Sequence, residues 1–174
     1  MSGLSHLTGY ADGPPNKPGN FFCDQQAAVL SAFATQVALW HRERTGQGQH
    51  VELAMIEGEF QLLADAYLDY LWNGRERMRA GNDHPRWAPH DMYRCQGEDA
   101  WVAIAVEDDE QWKRLSGVIG RPELGDDPRY AGQEARHRNR GSLREPIEAW
   151  TAGRNSYQAQ HALQAAAVPA GAAL

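Results

Sequence analysis

Cysteine is scarce in this 174-residue sequence, and basic charge does not dominate it. Cys23 and Cys95 are too few and too far apart for a disulfide scaffold or a four-ligand zinc site, which excludes both classes. The formal net charge is −6, without the basic patch typical of nucleic-acid binding. No apolar run is long enough to cross a bilayer. We therefore expect a soluble protein whose partners are neither nucleic acid nor a membrane.

The opening residues also lack a charged segment followed by an apolar run, which is the pattern of an export signal. Two cysteines without a disulfide framework fit a reducing compartment, so we expect a cytoplasmic protein. The composition is typical of a soluble globular protein, since 42% of the residues are apolar and 23% are charged. A chain of this length and composition can bury a substantial core. One domain, or two small lobes, is the expected organisation.

The most distinctive segment is an apolar helix that follows a loop rich in proline and glycine at residues 9–20. Eleven of the fourteen residues from Ala27 to Trp40 are apolar, which leaves no wide polar face. Such a pattern predicts a helix that is buried on all sides. Basic residues and then glycines follow at residues 41–48, and they predict the end of the helix there.

Asp24 stands where this helix is predicted to begin, and two interpretations are open. As an N-cap, its carboxylate would accept backbone N–H groups and contribute about 1 kcal/mol. As a nucleophile, it would use the helix dipole that keeps it ionised. Backbone N–H groups around Gln25 and Gln26 could stabilise an oxyanion, or could simply start the helix. Cys23 is a weaker nucleophile candidate, because no histidine lies nearby in the sequence to form a thiolate pair.

Downstream, short apolar runs and amphipathic segments predict a mixture of strands and helices. A loop at residues 75–91 is dense in Arg, His and Pro, and it could bind an anionic substrate or serve as a solvated connector. His84 and His90 are not at a helical metal-ligand spacing, so we predict no metal site. Arg136, Arg138 and Arg140 are predicted to be solvated. We expect strands at 49–54, 92–96 and 100–106, and helices at 55–72, 108–119, 142–152 and 156–166.

Arg42 follows Asp24 by eighteen residues, and a Thr-Gly-Gln-Gly-Gln turn follows at Thr45–Gln49. This spacing around Asp24 resembles the class III CoA-transferase family, which includes formyl-CoA transferase, carnitine CoA-transferase and alpha-methylacyl-CoA racemase. The resemblance covers essentially the whole chain. It continues through the segments Gly81–His90, Gly120–Tyr130 and Val168–Gly171.

The resemblance implies an α/β fold that is only partly contained in this sequence. Residues 1–75 would be part of the large domain, with the Asp24 helix and a connecting helix. Residues 76–174 would be a linker loop and a small α+β domain. In the family, the opening Met-Ser-Gly lies inside the chain, so an internal fragment or a truncated reading frame is expected. The family's homodimers interlock. The apolar helix is expected to need neighbours from the missing segment of the family fold, and it would here expose a patch that drives association.

The chemistry implied by the resemblance is CoA transfer between an acyl-CoA thioester and a carboxylic acid, without a permanently bound cofactor. Asp24 would form an acyl anhydride and then an aspartyl-CoA thioester. Two alternatives stay open: a 2-methylacyl-CoA racemase, whose second base would lie upstream of this chain, and a fragment that is not catalytic. The site residues implied are Asp24 as nucleophile and, for substrate or CoA binding, Gln25, Gln26, Met55, Arg86 and His90.

Overall fold

The computed structural model describes residues 3–17, 19 and 21–173 of the chain. Its contacts divide the chain into two units, Met1–Gly81 and Asn82–Leu174. Five residues lie outside the described part. They include two residues of the Met-Ser-Gly motif, two positions of the loop at 9–20, and the first and last residues of the predicted domain ranges. They are Met1, Ser2, Pro18, Asn20 and Leu174.

The described part of the first unit is built from helices. The long helix ends at a glycine, as predicted: Gly46 adopts a left-handed conformation with φ of 73°, and its N–H donates to the carbonyl of Arg42 at 2.8 Å. A glycine tolerates this conformation because it has no Cβ to clash with the backbone. The helices are Leu4–Leu7 (α1), Phe22–Thr45 (α2), Met55–Phe60 (α3) and Ala64–Asn73 (α4).

Two predictions for this unit are wrong. The single helix expected at 55–72 is broken into α3 and α4, because tight i→i+3 bonds close the end of α3: the N–H of Leu62 donates to Glu59 O at 3.0 Å. The strand expected at 49–54 is irregular backbone in the structure. A strand is defined by ladder hydrogen bonds, and alternation of apolar and polar residues cannot supply the neighbouring strand they need.

The burial predicted for α2 is also not observed, since none of its described residues is buried. Val29 is 70% exposed, Phe33 68% and Trp40 58%. Only α3 of the described elements packs extensively against α2. A helix that is apolar on all sides needs neighbours on all sides, and one short helix covers only a stripe. The apolar patch that the sequence predicts is therefore present along α2.

The second unit contains a three-stranded antiparallel sheet with strand order 1-2-3. The predicted hairpin is confirmed, and its register pairs His90 with Ala105 and Arg94 with Trp101. The third strand was not predicted, because Ala-Gly-Ala carries none of the β-branched or aromatic residues that favour strands. Pairing with the middle strand is what orders it. The strands are His90–Arg94 (β1), Trp101–Ala105 (β2) and Ala170–Ala172 (β3).

The described residues of this unit also form four helices, and three of them confirm the predicted segments. The Asp108 carboxylate accepts the N–H of Gln111 at 2.7 Å and caps the helix that begins at Asp109. Asn155 and Gln158 form a capping box at the start of the helix that begins at Ser156. None of the described helices is long and apolar enough to span a membrane. The helices are Asp109–Val118 (α5), Gln133–Arg138 (α6), Arg144–Thr151 (α7) and Ser156–Ala165 (α8).

The core of the second unit lies between the sheet and these helices. Val102 and Ile104, alternate residues of β2, point into it, as the two-residue period of a strand requires. Trp112 of α5 is buried there, and its indole N–H donates to the carbonyl of Leu124 at 3.1 Å. This hydrogen bond satisfies the one polar atom of the largest buried side chain.

Arg136 corrects a prediction, because it is fully buried rather than solvated. Its guanidinium donates to the carbonyls of Ala88 at 3.1 Å and Tyr130 at 3.2 Å, and it lies 2.7 Å from the Asp109 carboxylate. Charge pattern alone could not reveal these acceptors, two of which are backbone atoms. Arg138, two residues later, is exposed as predicted.

Candidate active site at the start of helix α2

Asp24 is the third residue of α2 and lies in its first turn, rather than before the helix. Phe21 occupies the N-cap position, and no side chain caps this helix by a hydrogen bond. The N–H of Asp24 itself donates to Phe21 O at 3.1 Å. The predicted capping role is therefore not observed. The position still lies at the positive end of the helix dipole, which favours an ionised carboxylate.

The Asp24 side chain is exposed, and none of the salt bridges among the described residues involves it. Arg42 lies eighteen residues further along the same helix, which corresponds to about 27 Å at 1.5 Å per residue. Its guanidinium is therefore too far away along α2 to neutralise the carboxylate. The lone pairs of Asp24 are available to an approaching electrophile, but water has access to them as well.

The residues after Asp24 are already engaged with the protein. The N–H of Gln25 donates to Phe21 O at 3.2 Å, so it is not free to stabilise an oxyanion in this structure. The side-chain amide of Gln26 donates to the carbonyl of Gly58 on α3. Its own oxygen is buried without a hydrogen-bond partner among the described residues. Helix geometry leaves the N–H groups of the first residues, Phe22 and Cys23, without an intrahelical carbonyl.

The thiol of Cys23, the residue before Asp24, contacts a buried carboxylate. The Cys23 thiol donates a hydrogen bond to the carboxylate of Glu59 on α3. This hydrogen bond is the main cause of a raised pKa for Cys23, and partial burial and the negative charge of Glu59 add to it. Cys23 is thereby kept as a neutral thiol, which is a poor nucleophile. The structure therefore supports the expectation that Cys23 is a weaker candidate than Asp24 for the nucleophile.

Met55 begins α3 and is 44% exposed. It lies one helical turn before Glu59, so the two side chains share a face of α3. The structure thus places the predicted residues Asp24, Gln26 and Met55 on two helices that contact each other. Glu59 was missed, because a glutamate in an amphipathic helix is normally solvated and nothing in the hydropathy pattern marks it as buried.

The other two predicted binding residues belong to the second unit. His90 begins β1, and its Nδ1 lies 2.6 Å from the carbonyl of Asn82. Arg86 is exposed, and its backbone N–H lies 3.3 Å from Nδ1 of His84. The His84 ring stacks on Trp87 with 4.0 Å between centroids. The loop is therefore held partly by its own side chains, and His137 from outside the loop also contacts the carbonyl of His84 at 3.0 Å.

A cleft of about 390 Å³ lies beside His90, and its arginines are not the predicted one. Arg140 and Arg144 line it, whereas Arg86 does not. Arg140 pairs with Asp83 at 3.0 Å, and Arg144 pairs with Asp91 at 2.8 Å. These pairs offset the positive charge, so the cleft is not a strongly cationic site. No group of three or more His, Cys, Asp or Glu side chains in the described ranges could hold a metal ion.

Protonation of His84 is expected to loosen this loop. Its Nδ1 accepts the backbone N–H groups of Arg86 and Trp87, and burial together with the neighbouring His90 charge lowers its pKa. A histidine whose folded pKa is lowered stabilises the protein above its unfolded pKa of about 6.5 and loses that contribution as the pH falls. The urea midpoint of the wild type should therefore decrease from about pH 7.5 to about pH 5.5.

The control for this titration is His84→Asn, whose side-chain oxygen can accept the same N–H groups without titrating. This variant should show a weaker pH dependence over the same range. Equal pH dependence in the variant and the wild type would show that His84 does not couple to folding.

Comparison with known proteins gives a consistent result over the whole sequence. A family model described as CoA-transferase family III matches residues 1–174. The chain is 36% identical over 171 residues to succinyl-CoA–D-citramalate CoA-transferase of Chloroflexus aurantiacus, covering 98% of this chain and 42% of that protein. It is 35% identical to succinate–glutarate CoA-transferase of Agrobacterium fabrum, with the same coverage of 98% and 42%. The chain thus spans less than half the length of these curated relatives.

Among solved structures, a CaiB/BaiF family protein from Brucella suis is similar in fold. The TM-score is 0.90 at 36% sequence identity, and the match covers 98% of this chain and 45% of that one. The similarity confirms the fold that the sequence resemblance implies.

Proposed function

The chain belongs to CoA-transferase family III, and from this premise we propose that it moves CoA between an acyl-CoA thioester and a carboxylic acid, with Asp24 as the nucleophile. The observation that carries the proposal is the exposed carboxylate of Asp24 in the first turn of α2, which forms no salt bridge with the described residues. The family model matches the chain from end to end. CoA enters as part of the substrate, and no permanently bound cofactor is needed.

The first half-reaction makes a reactive anhydride. The Asp24 carboxylate attacks the thioester carbonyl, the carbon–sulfur bond breaks, and CoA leaves as a thiolate. The thiolate then attacks the aspartyl carbonyl of the mixed anhydride, releasing the donor as a carboxylate and leaving an aspartyl-CoA thioester. A carboxylate suits this role because its anhydride is itself readily attacked.

The second half-reaction repeats these steps with the acceptor acid. The acceptor carboxylate attacks the aspartyl-CoA thioester and expels the CoA thiolate. The thiolate attacks the acceptor carbonyl of the new anhydride, which forms acceptor-CoA and regenerates Asp24. The N–H groups at the start of α2 would stabilise the oxyanions that form at each attack. Gln25, Gln26, Met55, Arg86 and His90 are proposed to contact the substrate or CoA.

Substrates of the dicarboxylate class are proposed from the relatives. The proteins of Chloroflexus aurantiacus and Agrobacterium fabrum are named for succinyl-CoA or succinate, paired with citramalate or glutarate. Succinyl-CoA is therefore the first donor to test, and glutarate the first acceptor.

Water must be kept from the anhydride if it is to react with thiolate or acceptor, and the exposure of Asp24 shows that the described chain does not do this by itself. We propose that a second copy of the protein, in a cytoplasmic homodimer, covers the start of α2. The exposed side chains of Phe21 and Val29 lie close to Asp24 in sequence and would be buried with it.

The experiment is incubation of the protein with succinyl-CoA and glutarate, followed by chromatography of the CoA thioesters and mass spectrometry of the peptide that contains Asp24. Glutaryl-CoA and an acyl or CoA adduct on Asp24 are expected. Exchange of the α-proton of a 2-methylacyl-CoA in deuterated water, without an adduct, would support a racemase instead. Absence of adduct, transfer and exchange would contradict the proposal and leave a fragment that is not catalytic.

A further inference from the structure

The buried carboxylate of Glu59 is an unusual feature of α3. Its residue is only 3% exposed, whereas Glu57, two residues earlier on the same helix, is exposed. Burying a carboxylate is expensive unless it is hydrogen-bonded or neutral. The Cys23 thiol is one of its donors, and Cys23 is the residue immediately before Asp24. The proposed nucleophile is thus one peptide bond from a contact with a buried acid.

A second hydrogen bond joins the same turn of α2 to α3. Gln26 donates its side-chain amide to the carbonyl of Gly58. The backbone can approach this closely because Gly58 has no side chain: a Cβ there would lie 2.9 Å from Cδ1 of Leu30. Hydrogen bonds therefore join the two helices at positions before and after Asp24 in the sequence.

The spacing of these bonds determines where Asp24 points. Cys23 and Gln26 are three residues apart and share the face of α2 that contacts α3. Asp24 follows Cys23 by one residue, about 100° around the helix. It is consequently turned away from α3 and stays exposed while its neighbours are held.

The charge of Glu59 has a separate consequence for the thiol. A thiolate at Cys23 would compete with Asp24 for the same substrate: it would attack the acyl-CoA carbonyl, expel the CoA thiolate and leave an S-acyl cysteine. That product is a thioester, which is less reactive than the aspartyl anhydride. A negative charge beside the sulfur disfavours the thiolate and so disfavours this side reaction.

We propose that Glu59 is a positioning residue that, through Cys23, fixes the first turn of α2 around Asp24 and keeps the neighbouring thiol from acting as the nucleophile. The positioning part rests on the proposed function of Asp24. The effect on the thiol does not, so the two parts are tested by different measurements.

The thiol part is tested by alkylation of Cys23 with iodoacetamide across a pH series, followed by peptide mass spectrometry, which separates it from the buried Cys95. In Glu59→Gln the amide oxygen still accepts from the thiol, but the negative charge is gone. The alkylation profile should move to lower pH, and the reaction near neutral pH should be roughly tenfold faster, because a lower pKa leaves more thiolate. The Glu57→Gln control removes an exposed charge from the same helix and should leave the profile unchanged. Identical profiles for Glu59→Gln and wild type would overturn this part.

The positioning part is tested by kinetics of CoA transfer. Cys23→Ala removes the hydrogen bond and should lower kcat by roughly tenfold to a hundredfold with KM nearly unchanged, because misplacement of a reacting group acts on the chemical step. Cys23→Ser keeps a donor to Glu59 and should restore most of the activity, a rescue that loss of packing alone would not show. Equal kcat in Cys23→Ala and wild type would overturn the positioning role. If the wild type has no transfer activity, the proposed function fails, and the alkylation profile still decides the role of Glu59.

Discussion

Replacement of Asp24 by asparagine is expected to abolish CoA transfer, with kcat reduced by about 10³-fold or more. The amide keeps the size and shape of the carboxylate, but it carries no negative charge and cannot form an anhydride. No other side chain along the exposed first turn of α2 can take over this step, since Cys23 is held as a neutral thiol. The measurement is the rate of glutaryl-CoA formation from succinyl-CoA, with the Asp24 peptide examined for loss of the adduct.

The structure predicts that this loss does not come from unfolding. Asp24 forms no salt bridge among the described residues, so the substitution removes only its interaction with the helix dipole, about 0.3–1 kcal/mol. Glu43→Gln is the matched control, because it neutralises another exposed acid near the opposite end of the same helix. It should keep full activity. Substantial transfer by the Asp24→Asn protein would exclude a covalent role for Asp24.

Replacement of Arg136 by methionine is expected to destabilise the second unit by about 3–5 kcal/mol. Methionine fills much of the volume but donates no hydrogen bond, so the buried carbonyls of Ala88 and Tyr130 lose their donor. Each buried acceptor left without a partner costs about 1–3 kcal/mol. Asp109 contributes less, because its side chain is 63% exposed and water can replace the guanidinium. Urea unfolding followed by tryptophan fluorescence gives the change, and Trp112 reports on the affected core.

The comparison for this variant is Arg138→Met on the same helix. The Arg138 guanidinium is exposed and pairs with Glu134 at 3.0 Å, one helical turn away. Such a surface pair is worth at most about 0.5 kcal/mol. A similar loss of stability in the two variants would mean that burial of Arg136 contributes little.

Local signals in the sequence were enough for much of the second unit. The hairpin was predicted from two short apolar runs, and α5 was predicted from the acidic residues at its start; Asp108 does cap it. The end of α2 is also a local feature: the sequence predicts it from the glycines after the basic residues, and Gly46 adopts there a left-handed backbone that glycine adopts easily. Each of these features is decided within a few residues along the chain.

Features that depend on distant residues could not be predicted. The burial of Arg136 depends on the carbonyl of Ala88, which is 48 positions away. The hydrogen bond between Cys23 and Glu59 joins residues that are 36 positions apart. Asp24 itself was identified from its spacing to other motifs, but its place inside the first turn and its exposure came from the structure.

The uncovered apolar surface of α2 links assembly to chemistry. The apolar stretch of this 24-residue helix, from Ala27 to Trp40, forms a hydrophobic ridge about 21 Å long, and Asp24 lies one turn before it. Any protein surface that packs along this ridge also removes water from around the carboxylate, and the lower local dielectric strengthens every electrostatic contact made there. Burial of the ridge and exclusion of water from Asp24 would then occur in a single binding event, so assembly and the proposed CoA transfer would be linked.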